Sequence, residues 1–214
     1  MRLGLPIFLG YVPVGMAFGM LARSAGFTLA QAAACSGLVL AGAGQFVGLS
    51  LMRSGADLAA VWIATSVINL RYVLFGAAVS PYLRDAPLSA QASLAFSLTD
   101  ETFAVNVADH QAGTADVASM SGVGAVSWIG WVGGTVLGAG LGSLVGDPAR
   151  WGVGFAMPAM FTALLVGQMK DRSHVIVAAL AASLALASSL VLPGKWFIVA
   201  AAVAAATVGA VVYR

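Results

Sequence analysis

The sequence predicts an all-α fold, a polytopic membrane helical bundle of about seven spans with broken or re-entrant helices, and three observations predict it. Apolar residues fill 60% of 214 positions and charged residues only 8%, against roughly 25% charged in an ordinary soluble domain. Apolar runs of about 20 residues, the length that crosses a bilayer as a helix, recur along the chain. Charges and prolines fall mostly at the ends of those runs. The same composition removes several classes of function. Ten basic and eight acidic residues give a net charge of +2 with no basic patch, so nucleic acid is not a partner. Cys35 is the lone cysteine, and His110 and His174 share no ligand spacing, so neither a metal nor another cofactor is expected.

Cutting at charges and prolines places spans near 4–22, 28–52, 57–80, 120–145, 151–169, 174–192 and 195–213, in one transmembrane domain over 1–214. The first run is read as a retained span, because Pro6 and Pro13 interrupt it and no small-x-small cleavage site precedes Arg23. Proline lacks a backbone donor and clashes with the preceding turn, so a kink or break is expected at Pro13.

The second run carries Gly42, Gly44 and Gln45 near its centre. Two readings stay open for them. The glycines mark an unwound stretch whose freed backbone groups and amide face a cavity, or Gly44 and Gly48 let a neighbour pack closely while Gln45 hydrogen-bonds another helix.

In the third run Thr65, Asn69, Tyr72 and Gly76 follow 4, 3, 4 spacing and share one helical face. Arg71 falls roughly 200° from Asn69 on a regular helix, so either the helix is distorted or Arg71 meets a different neighbour. At ~1.5 Å per residue it sits ~14 Å inside the Ser80 end, too deep to reach water easily, which requires a paired, inward-facing guanidinium.

After a polar link bounded by Pro81 and Pro87 comes a segment, 89–108, that is long enough to cross but much more polar. Ser89, Ser93, Ser97 and Asp100 make one polar face of a helix that ends on Asp100 and Glu101. Adjacent carboxylates in a partly desolvated site titrate as a coupled pair able to carry a proton. The rival readings are a capping box over Ser97–Asp100 with acids in the first turn, and a structural counter-ion for Arg71. Further on, Gly130, Gly134, Gly138, Gly142 and Gly146 recur every fourth residue, a ridge for close helix contact, internal or with another subunit.

Three stretches carry a family resemblance: Ala41-Gly42-Ala43-Gly44-Gln45-Phe46, Asn69-Leu70-Arg71-Tyr72 followed by Gly76 and Pro81, and Leu98-Thr99-Asp100-Glu101-Thr102-Phe103-Ala104. In order and spacing the chain resembles the AzlC family of branched-chain amino acid permeases, departing from it at Tyr72, where His is frequent. The resemblance implies a proton-driven exporter of valine, leucine, isoleucine or similar amino acids. It further implies a place in the bacterial cytoplasmic membrane and a small multi-span partner of the AzlD type.

A zwitterionic substrate needs an ammonium acceptor, a carboxylate donor and an apolar pocket. Asp100 or Glu101 is the candidate for the ammonium or the coupling proton, and Arg71, Asn69 or amides freed around Gly44 for the carboxylate. Gln45 is placed to orient either group, with Tyr72 and Thr99 beside them. Two rivals from other classes are a non-transporting scaffold subunit and a membrane-embedded acid/base enzyme, the latter opposed by the absence of a nucleophile constellation.

Overall fold

The structure, a computed structural model, describes residues 2–142 and 171–190, together with positions 152, 155, 158, 159, 162, 165, 166, 169, 204, 205 and 207–209. Gly146 and most of the spans expected near 151–169 and 195–213 lie outside the described residues. The chain divides into two compact units, Met1–Met157 and Pro158–Arg214. Among the described residues every regular element is helical.

In the first unit α1 (Leu5–Ser24) is followed by α2 (Leu29–Leu38), α3 (Gly42–Arg53), α4 (Leu58–Asn69), α5 (Arg71–Val79), α6 (Leu88–Phe96), α7 (Asp100–Gln111) and α8 (Val117–Leu141). Local chemistry sets most of these limits. Thr28 with Gln31, and Asp116 with Ser119, close capping boxes at α2 and α8, and the Asp57 carboxylate accepts from Ala60 N–H at α4. Gly26 and Gly55 take positive φ just past α1 and α3, a conformation that costs glycine little. Among the described residues α1, the stretch Leu58–Leu83, α8 and the second unit's α9 (Arg172–Ser189) are long and apolar enough to cross a membrane. The second run does not cross as one helix: it is interrupted at Val39–Ala41.

The centre of the first unit is the pairing of α1 with α8. Gly130 meets Phe8, Gly134 and Gly138 meet the carbonyls of Val12 and Met16, and Gly142 faces Met20. From the other side, Gly15 and Gly19 meet backbone of Trp131 and Thr135, where a Cβ on Gly15 would stand 2.7 Å from the Trp131 carbonyl oxygen. Four glycines of the expected ridge therefore dock α1, the internal contact that small residues permit. The same contact accounts for Pro13. Instead of breaking, α1 runs as one helix through it, because α8 packs on both sides of the proline, and a neighbouring helix supports a backbone that has lost a donor.

Around this seam Phe18 packs edge-on to Phe46 with ring centroids 5.6 Å apart and stacks near Trp131 at 6.4 Å. By contrast α4 buries no residue, and its Trp62 is 70% exposed, the apolar outer face that a bilayer solvates. In the second unit Asp171 caps α9 by accepting from the amides of Ser173 and His174. Its hydrogen bond with the His174 side chain holds the Asp171 carboxyl below the usual range.

Candidate functional site

The expected continuous polar helix over 89–108 is two helices meeting at Ser97–Thr99, and the cap lies two residues beyond the expected one. Thr99, with extended backbone, accepts from Thr102 N–H, while the Thr102 hydroxyl lies 2.8 Å from Thr99 N. Ser97 points its hydroxyl back to the Ser93 and Leu94 carbonyls instead. Asp100 and Glu101 thus open α7, where a helix dipole favours acids. Consecutive helical residues point about 100° apart, so the two acids reach different neighbours. Asp100 Oδ2 pairs with Arg71 Nη1 at 2.9 Å. Glu101 Oε2 accepts from the Tyr11 hydroxyl at 2.5 Å, and the same hydroxyl reaches Thr99 Oγ1 at 2.8 Å.

Arg71 faces Asp100 because the third run is distorted at Leu70. The bonds Leu70 N–H to Val67 O at 3.3 Å and Val73 N–H to Leu70 O at 3.1 Å both span three residues, a tighter turn than the α-helix on either side. This joint resets the register. Asn69 closes α4 facing Gly44 of α3, while Arg71 opens α5 facing α7. The Arg71 guanidinium carbon lies 5.2 Å from the Tyr72 ring centroid, and Phe75 stacks on Phe103 at 4.4 Å alongside.

The third interruption separates α2 from α3. The unwound residues are Val39–Ala41, and Gly42 and Gly44 lie in the first turn of α3 rather than in the break. That turn has no side-chain cap. Gln45 donates to Ser36 Oγ at 3.1 Å and to Cys35 Sγ at 3.5 Å, and accepts from the Trp131 indole N–H at 2.9 Å. Ser36 is bonded in turn to Thr135 of α8 at 2.8 Å. Gly44 and Gly48 give close approach to Asn69 and Thr65 of α4, as the packing reading expects, whereas the unwinding expected at Gly42 and Gly44 falls at Val39–Ala41 instead.

These three breaks are joined. Tyr11 packs edge-on against Trp131 with centroids 5.4 Å apart, so contacts run from Gln45 through Trp131 and Tyr11 to Glu101. From Glu101 the path passes along the chain to Asp100, across its ion pair to Arg71, and along the chain through Leu70 to Asn69, which meets Gly44. Gln45, Asn69, Arg71, Tyr72, Thr99, Asp100 and Glu101, expected from sequence, all lie on or beside this ring; Pro13 lies outside it, within α1. Sequence reasoning did not single out Tyr11, Ser36, Trp131 or Thr135. Their only signal was polarity inside apolar runs, Tyr11 within the first span and Trp131 within the glycine ridge.

Beside the ring, a cavity of about 230 Å³ opens between α1, α2, α3 and α4. Phe18, Val39, Leu49 and Met52 supply apolar wall, and Gln45 and Asn69 polar wall, whereas Arg71, Asp100 and Glu101 do not line it. The cavity and the charged pair are separate compartments that share the Asn69–Arg71 joint.

The chain is similar in sequence to known membrane proteins. The sequence model described as AzlC protein matches residues 6–145. Inner membrane protein YgaZ of Escherichia coli (strain K12) is 35% identical over 85% of this chain and 77% of its own length. An uncharacterized membrane protein of Archaeoglobus fulgidus is 35% identical over 93% and 87%, and the branched-chain amino acid transport protein AzlC of Bacillus subtilis (strain 168) is 27% identical over 94% and 78%. No solved structure matches.

Proposed function

The chain belongs to the AzlC family of membrane proteins, and on that premise we propose that it exports valine, leucine, isoleucine or similar amino acids across the bacterial cytoplasmic membrane. In this reading export is coupled to protons and needs a small AzlD-type membrane subunit. The name of the Bacillus subtilis relative supports the substrate class. The observation that carries the mechanism is the division of labour between the two acids. Asp100 is occupied by Arg71, which leaves Glu101, bonded to the neutral Tyr11 hydroxyl, as the carboxylate that takes and releases the coupling proton. Protonation would loosen the Tyr11–Glu101 contact between α1 and α7, and α7 carries Asp100, so the change reaches the Arg71 pair and the Leu70 joint directly. No bond of the amino acid is made or broken.

Labelled valine and leucine flux in vesicles holding the protein, with and without the AzlD-type subunit, tests the proposal. Flux driven by an imposed pH gradient, and abolished by Glu101→Gln, is the expected result. Unaltered flux in both Asp100→Asn and Glu101→Gln would remove the acids from the mechanism. Turnover without flux would identify an enzyme, and neither, even with the subunit present, a scaffold.

A further inference from the structure

Asn69 is the polar side chain of the cavity that engages nothing. Gln45 is committed at both ends of its amide, and the Thr65 hydroxyl donates to the Val61 carbonyl at 2.8 Å. Asn69 Oδ1, in contrast, is buried with no hydrogen-bond partner, and the rest of its amide makes no hydrogen bond either. A buried acceptor left unpaired loses its hydration with nothing in return, so native proteins rarely keep one without a use. Gly44 is what lets the amide sit there: a Cβ at that position would stand 3.1 Å from both Oδ1 and Nδ2 of Asn69.

An amide with its carbonyl and its NH2 both unpaired is matched by a ligand that offers a donor and an acceptor side by side. That holds whichever way the amide is turned. Gly44, in the first turn of α3, which has no side-chain cap, lies in the cavity wall, so the positive end of that helix dipole is close to the amide. Among the described residues no carboxylate lines the cavity. A bare amine would therefore enter as an uncompensated cation, which a low-dielectric site penalises, whereas a zwitterion brings its own counter-charge. The apolar wall of Phe18, Val39, Leu49 and Met52 suits an aliphatic side chain.

We infer that this cavity is a binding site for a neutral aliphatic α-amino acid, with Asn69 holding its ammonium and carboxylate together. The inference rests on the transport reading above, and it separates the substrate's seat from the charged groups that couple its movement.

Binding of labelled leucine to the purified full-length protein in lipid nanodiscs provides the test. Saturable leucine binding is expected, uncontested by isocaproate, which lacks the ammonium, or by isoamylamine, which lacks the carboxylate. Asn69→Ala and Gly44→Ala should each weaken binding at least tenfold with the melting temperature little changed. Should Asn69→Ala fail to fold, Gly44→Ala, one methyl group at the amide, carries the measurement. Wild-type affinity in a folded variant of both kinds, with valine and leucine flux intact, would overturn the site and leave transport standing. Absence of both leucine binding and flux from the wild type, with the AzlD-type subunit present, would overturn both.

Discussion

Two helices of this protein begin after a short break in what would otherwise be a continuous segment, and they begin in opposite ways. Helix α7 closes its own first turn with the Thr99–Thr102 box and adds two acids at the positive end of its dipole. Helix α3 follows the buried Ala41, whose side chain has no oxygen to offer, and opens on Gly42 with no side-chain cap. The difference teaches where each end looks for partners. With its cap closed on itself, α7 turns its carboxylates outward to tie α1 through Tyr11 and α5 through Arg71. Without a side-chain cap, α3 begins at the cavity wall, where Gly44 lies.

The sharpest way to break this contrast is to remove what joins the two ends. Trp131 is 2% exposed, touches Tyr11 beside α7 and holds Gln45 of α3. Trp131→Ala should destabilise by about 3–5 kcal/mol in denaturant unfolding in detergent, the range for truncating a buried aromatic. A loss below about 1 kcal/mol would mean that the two ends are not mechanically linked.

Next in size is the ion pair. The side chains of Arg71 and Asp100 are 26% and 16% exposed, so solvent screening should hold the cost of removing either partner to about 2 kcal/mol, below that of a fully buried pair. Arg71→Met with Asp100→Asn should recover much of the loss, because neither charge is then stranded. Additive losses in the double-mutant cycle would show that the two residues are not energetic partners. The smallest effect is expected at the cap. Thr99→Ala should cost about 1 kcal/mol and loosen α7, detected as faster amide exchange in its first turn, while leucine binding beside α3 stays as in the wild type.

How far these features could be read beforehand depended on the range of the interaction. Hydropathy placed α1, the 58–83 stretch and α8 because each is a local property of about 20 residues. The stripe of Thr65 and Asn69 held because both precede the distortion at Leu70. At Leu70 both alternatives left open for Arg71 are met, since the turn tightens and Arg71 faces α7 while Asn69 faces α3. The cap was displaced because Ser97 and Thr99 are equally suited by type. Thr99 has the extended backbone that capping needs, and Ser97 bonds back into α6. Tyr11 and Trp131 were illegible for a different reason: their partners lie 88 and 86 positions away in Thr99 and Gln45, and no spacing rule reaches that far. The glycine ridge was visible, but its partner, α1, follows only from the packed structure.

That ridge bears on how the molecule can move. Sliding α1 along α8 would drive the carbonyls of Val12 and Met16 over each glycine shoulder in turn, so the pair behaves as a stator, one solid piece under load. By contrast α4 and α5 meet at a single-residue elbow, Leu70, which gives this unit a place to bend.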